Sequence, residues 1–181
     1  MITLLAACLL LSWKDGGGAP SGPYTRSARM ASHCEVLLDP GFKGSVRLYA
    51  SPDKKKQVRL LRHNFAAEDW LYFIVKEETD SMFHVSAEYN IQGHIAEGWI
   101  DKRKEIGVYS RVYESGKSLV LFTSPKKGLV AARIRRYVKD LITVTACERG
   151  WVKVKISDNG KLVEGWMPPE EQCTNAYSTC N

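Results

Sequence analysis

The 181-residue chain is poor in the residues that mark metal centres and hydrolytic sites. It has four histidines and five cysteines, with no CxxC pair and no zinc-type histidine spacing, so no metal is expected. It lacks a glycine-rich phosphate loop or nucleotide fingerprint, which removes the nucleotide-dependent classes and leaves no cofactor to predict. The acidic doublets Glu77-Glu78 and Glu170-Glu171 are adjacent charges and not convergent carboxylates. No run reaches the roughly 18 apolar residues of a membrane-crossing helix.

What is present is the composition of a folded protein, 44% hydrophobic and 10% aromatic, with a net charge of +6. That charge favours anionic surfaces: nucleic acid, lipid headgroups or cell-wall polymers. The apolar run Ile2–Leu11 has the length of a secretory signal core. Within it, Leu5-Ala6-Ala7-Cys8 resembles a bacterial lipobox, which would make Cys8 a lipid attachment site and the only link to a membrane. A plain secretory signal and a start at Met30 are the alternatives; export to the periplasm or cell surface is the reading adopted. The glycines, prolines and serines of Lys14–His33 then form a flexible linker, so 1–33 is a signal-like, disordered segment.

Five cysteines suit an exported protein. Without Cys8 an even number is left: Cys34, Cys147, Cys173 and Cys180. Cys173 and Cys180 flank "CTNAYSTC", rich in turn residues, and are the first expected pair; Cys34 with Cys147 is the second. Three pairings exist for four cysteines, and sequence alone does not choose among them.

The chain also repeats itself. "SVRLYASPDKK" (Ser45–Lys55) and "SLVLFTSPKK" (Ser118–Lys127) each run apolar, break at Ser-Pro and turn basic. Downstream, Glu97-Gly98-Trp99-Ile100 answers Glu164-Gly165-Trp166-Met167, and between them Phe83 is matched to Trp151. "WVKVKI" alternates as a strand, Asn159-Gly160 signals a tight hairpin, and Gly150 offers another turn. Pro52 and Pro125 end strands because proline donates nothing to a ladder.

An opening strand to Ser-Pro, a variable loop, an aromatic W-V-K-V hairpin and a closing G-W-[IM] strand together resemble the bacterial SH3-like (SH3b) domain. "RGWVKVKISDNGKLVEGWM" (Arg149–Met167) carries the resemblance most fully. The pair also resembles small exported proteins of Bacteroides type with two such domains. The resemblance implies an all-β chain with two small SH3-like barrels in tandem, packed together: 34–102, a connector at 103–117 holding a short strand or turn, and 118–181 with the C-terminal cysteine loop. Barrels of about 60 residues have marginal cores, which mutual packing and disulfides would relieve.

In such folds the loop after the opening strand borders the ligand groove. The expected groove residues are therefore Tyr49, Lys54, Lys55, Arg59 and Trp99 in the first copy, and Phe122, Lys126, Lys127, Arg135 and Trp166 in the second. The competing reading is that the aromatics are core and the charges a solvated face. Such domains accompany NlpC/P60-type cysteine peptidases, but Cys147 lies in a strand-to-turn segment and not at a helix start that would activate it. No catalytic residues are expected, and the chain is read as no enzyme. The resemblance implies cell-wall peptides or glycans, or an envelope protein, as partners; an adaptor role or an accessory role to a cell-wall hydrolase is the alternative. Basic grooves with aromatic faces also bind single-stranded nucleic acid, yet an exported, disulfide-bonded chain is not expected to.

Overall fold

A computed structural model describes residues 33–111, 117–126, 128–136 and 138–177. The expectations for Cys8, for the N-terminal linker, for Lys127 and for Cys180 lie outside these residues. The first half contributes β1 (Cys34–Leu38), β2 (Val46–Tyr49), β3 (Gln57–Leu61), β4 (Leu71–Glu78), β5 (Met82–Tyr89) and β6 (Gly93–Asp101). The second contributes β7 (Ile106–Ser110), β8 (Leu119–Phe122), β9 (Val130–Ile134), β10 (Ile142–Glu148), β11 (Trp151–Asp158) and β12 (Lys161–Met167). A two-residue β13 (Gln172–Cys173) follows and pairs with β7. The chain is all-β.

Strand order runs β3-β2-β6-β5-β4-β1-β7-β10-β11-β12-β8-β9. Read outward from the β1/β7 seam, the two halves have the same order: β1-β4-β5-β6-β2-β3 and β7-β10-β11-β12-β8-β9. The duplication seen in sequence is thus a duplication of topology. Two closed barrels are not formed, however. The ladder is one continuous, open antiparallel sheet that ends on β3 and β9. The physical reason is β7. This strand, inside the stretch expected to connect two barrels, pairs with both β1 and β10 and so fuses the halves across their seam.

Burial follows from the twofold alternation of side chains along a strand. Val36, Leu48, Phe73, Phe83, Val85, Val108, Leu121, Val154 and Met167 face inward and form one core drawn from both halves. β1 is buried along both faces, because Leu37, Tyr72 and Ile74 form a second cluster on the outer side, covered by Tyr109, Leu141 and Ala176. The core is stapled by a disulfide from Cys34 in β1 to Cys147 in β10, the second expected pair. Cys173 is also disulfide-bonded. Structural disulfides belong to oxidising compartments, which places this fold outside a reducing cytoplasm.

The register corrects one correspondence. In β5–β6 Phe83 lies opposite Ile100; in β11–β12 it is Val152 that lies opposite Met167. Phe83 is therefore the counterpart of Val152, not of Trp151. One residue of slip changes the face, and accordingly Phe83 is fully buried while Trp151 is half-exposed.

The stretches after each Ser-Pro were expected to be loops, yet each contains a strand, β3 or β9. Their outward Val58, Leu60 and Val130 and interspersed arginines give edge strands without clean alternation. The loops proper are short and equivalent: Ala50 N donates to the Lys56 carbonyl (2.9 Å), and Thr123 N to that of Leu129 (2.8 Å). Asn159 (φ 50°) and Gly160 (φ 78°) make the expected tight hairpin, and Arg149-Gly150 makes a similar one.

The repeated glycine of Glu-Gly-Trp has a steric reason. A Cβ on Gly98 would lie 2.6 Å from the Tyr49 carbonyl oxygen, and one on Gly165 2.8 Å from the Leu121 Cβ. Gly98→Ala is expected to destabilise the fold by about 1–3 kcal/mol through overpacking against β2 backbone that cannot yield. Urea unfolding measures this, and a cost below about 0.5 kcal/mol would show that β2 and β6 are free to separate.

Candidate ligand-binding surfaces

The Glu-Gly-Trp alternation fixes what each half presents. The glycine faces in against β2 or β8, the opening strand of its half, the glutamate and tryptophan face out, and Ile100 or Met167 returns to the core. Trp99 pairs in register with Tyr49, and Trp166 with Phe122. Both tryptophans are half-exposed. The structure thus brings together the expected aromatic pairs, one near each end of the sheet.

Around the first pair, His84 lies against Trp99 with ring centroids 5.0 Å apart. Its Nδ1 is buried without a hydrogen-bond partner, while Nε2 is 3.6 Å from Glu97 Oε1. Around the second pair, Trp151 meets Phe122 edge-on at 5.6 Å. Neither His84 nor Trp151 was among the expected groove residues, although the alternation of "MFHVSAEYN" and "WVKVKI" places both on the outward face. The two glutamates are held by lysines on the same face, Glu97 by Lys76 and Glu164 by Lys153 and Lys155 (3.4 Å to the latter). Hydrogen bonding from Lys76 and from Lys153, respectively, holds both carboxyls below their ordinary range.

The expected cations are placed less uniformly. Lys54 forms an ion pair with Asp101 at the end of the strand bearing Trp99, and that bond pushes its ammonium up. Lys55 pairs with Asp53 at 3.1 Å; Asp53 is itself held low, first by Ser51 and then by Lys55. Arg59 lies on β3 and donates to the Ile95 carbonyl at 3.0 Å. Lys126 and Arg135 are exposed at either side of β9. The first loop therefore carries its own counter-charges, whereas the second is the more openly basic.

A cavity of about 530 Å³ opens elsewhere, between the β5–β6 hairpin and the C-terminal segment, lined by Tyr72, Glu88, Tyr89, Asn90, Ile91 and Tyr177 among others. It was not anticipated, since its walls come from segments nearly ninety positions apart. At the junction of the halves a second, charged hollow of about 400 Å³ is lined by Glu78, Lys102, Lys153 and Glu164, with Lys102 and Glu78 paired at 3.0 Å. Among the described residues, no three His, Cys, Asp or Glu side chains group as a metal site.

No protein-family profile matches the chain, and no curated protein does. Similar solved structures include NlpC1 from Trichomonas vaginalis, at TM-score 0.34 and 11% identity over 83% of this chain. NlpC2 from the same organism gives TM-score 0.33 and 12% identity, also over 83% of this chain. The chain spans about half the length of each, 48% and 52% respectively.

Proposed function

We propose that this protein is a non-catalytic binding module of a bacterial cell envelope, with two SH3-like halves that each present an aromatic platform to a cell-wall peptide or glycan. The observation that carries the reading is the repeated pair, Tyr49 with Trp99 and Phe122 with Trp166, in equivalent strands. Trp99, Phe122 and Trp166 are half-exposed, while Tyr49 is buried. Indole faces supply broad contact area at low entropic cost, and two such platforms on one continuous sheet suit an extended or repetitive ligand. The exposed cations of the second half would add attraction to an anionic polymer. A binding role is supported further by the cysteines: Cys34, Cys147 and Cys173 are all in disulfides and none is a thiolate nucleophile.

Purified protein is expected to be retained by peptidoglycan sacculi in a saturable way. Trp99→Ala with Trp166→Ala should weaken retention at least tenfold, each stacking contact being worth about 1 kcal/mol beyond its area. Retention unchanged in the double variant would sink the platform reading. Loss at high salt would assign the remaining affinity to exposed cations.

The open edges favour a second reading. β3 and β9 end the sheet with Val58, Leu60 and Val130 exposed, and unpaired edges accept strands from other chains. An adaptor role predicts a stoichiometric protein partner and no affinity for sacculi.

A further inference from the structure

Beside each platform the strand register places one arginine and one aliphatic residue, in the same two positions but exchanged between strands. Two residues before Tyr49 on β2 stands Arg47, opposite Leu60 on β3. Two residues before Phe122 on β8 stands Val120, opposite Arg133 on β9. Both ladders carry a bulge at the same step, after Leu48 and after Leu121, so the positions correspond. Side chains two apart on a strand share a face, which puts each arginine on the outward side with its tryptophan. Arg47, Leu60 and Arg133 are exposed, and Val120 is half-exposed. The halves keep the charge and change the strand that bears it, which packing alone does not require.

The other charges around the platforms are matched. Glu97 is held by Lys76, and Glu164 by Lys153 and Lys155. A hollow of about 280 Å³ beside Arg47 is lined also by Asp101 and Arg103. Asp101 is taken by Lys54, and Arg103 by Glu105 at 2.7 Å, so Arg47 is the charge left over there. Among the described residues neither Arg47 nor Arg133 has a hydrogen-bond or ion-pair partner. Each platform therefore carries one uncompensated guanidinium.

By register Arg47 is the diagonal neighbour of Trp99, and Arg133 that of Phe122. Diagonal neighbours on a sheet lie about 7–8 Å apart, within reach of a long side chain. A planar fork next to an aromatic face fits a carboxylate carried beside an apolar group. The fork takes the carboxylate in parallel hydrogen bonds, and the ring takes the apolar part. Leu60 and Arg133 also belong to the edge strands, whose outer sides meet no strand among the described residues. That regular row of N–H and C=O groups matches the backbone of an extended peptide, not a glycan. We infer that each end of the sheet binds an extended peptide bearing a carboxylate, which Arg47 in the first half and Arg133 in the second recognise beside the platform. The inference rests on the platform reading and narrows its ligand to an acidic peptide.

The test is amide chemical-shift titration of the full chain with acetyl-Val-Thr-Glu-Thr-Val amide, its Gln isostere and trigalacturonate. In an extended peptide the two Val and the Glu share one face. Saturable shifts at Leu60 and at Arg133 are expected with the Glu peptide, and binding about tenfold weaker with the Gln peptide. Arg47→Gln should abolish that preference in the first half and leave the second unchanged. Arg133→Gln should do the reverse, so each variant carries its own folding control. Trp99→Ala with Trp166→Ala should weaken both peptides alike. Glu and Gln peptides that bind equally, and are both lost in the tryptophan variant, would overturn the inference and leave the platform reading standing. Peptide binding indifferent to the tryptophans would overturn both. No saturable response to either peptide, or a stronger one to trigalacturonate, would overturn the peptide assignment. Charged edge strands also keep copies of a chain apart. If that is the whole role of these arginines, the Gln variants self-associate in sedimentation and the parent shows no preference for the Glu peptide, which overturns the inference as well.

Discussion

Replacing Cys34 and Cys147 together by alanine is expected to lower the unfolding free energy by about 4–5 kcal/mol, the largest single effect in this molecule. The bridge closes a separation of 113 residues, and in the chain-entropy description a loop of that size removes about this much freedom from the unfolded state. It also joins the first strand of one half to β10 of the other, so it constrains the relation of the halves and not a local turn. Urea unfolding of the double variant against the parent gives the number. A drop below about 1 kcal/mol would mean that the seam of β1, β7 and β10 holds the halves unaided and that the bridge is incidental. At the intermediate outcome, a transition split in two, the sheet would be continuous in hydrogen bonding but not in cooperativity.

Truncating Phe83 comes next. Phe83→Ala is expected to cost about 3–5 kcal/mol, the range for a fully buried aromatic replaced by a methyl group. Its ring is closed over by the core on one side and by Lys102 Nζ at 4.7 Å. Trp151→Ala should cost much less, about 1 kcal/mol from the lost edge-on contact with Phe122 plus partial exposure already present. The contrast is the point. If the two residues occupied equivalent positions, as the repeat suggests when it is aligned on aromatic character, the costs would be similar. Equal losses by thermal or urea unfolding would overturn the register described here.

The sequence by itself determined a good deal. Period-two alternation and turn chemistry made the chain all-β, and the ordered matches from Ser-Pro to Gly-Trp established an internal duplication. The Asn-Gly hairpin was legible because local geometry sets it, and Cys34–Cys147 stood as the second of the expected pairs, whereas the sequence left open whether the tryptophans face outward or pack in a core. What tertiary structure decided was everything that depends on strand neighbours. Whether the halves close separately or share one sheet turns on β7, five residues whose own pattern says strand but not which strands they join. β3 and β9 escaped notice because edge strands, solvated on one side and charged, lose the alternation that marks a buried one. The match of Phe83 to Trp151 failed because composition aligns like with like, whereas burial follows the pleat. The cavity around Glu88 was out of reach for a plainer reason. Its walls meet only because the C-terminal segment returns across the outer face to Tyr72 and Tyr177 packs on Trp70, a long-range closure that no local pattern encodes.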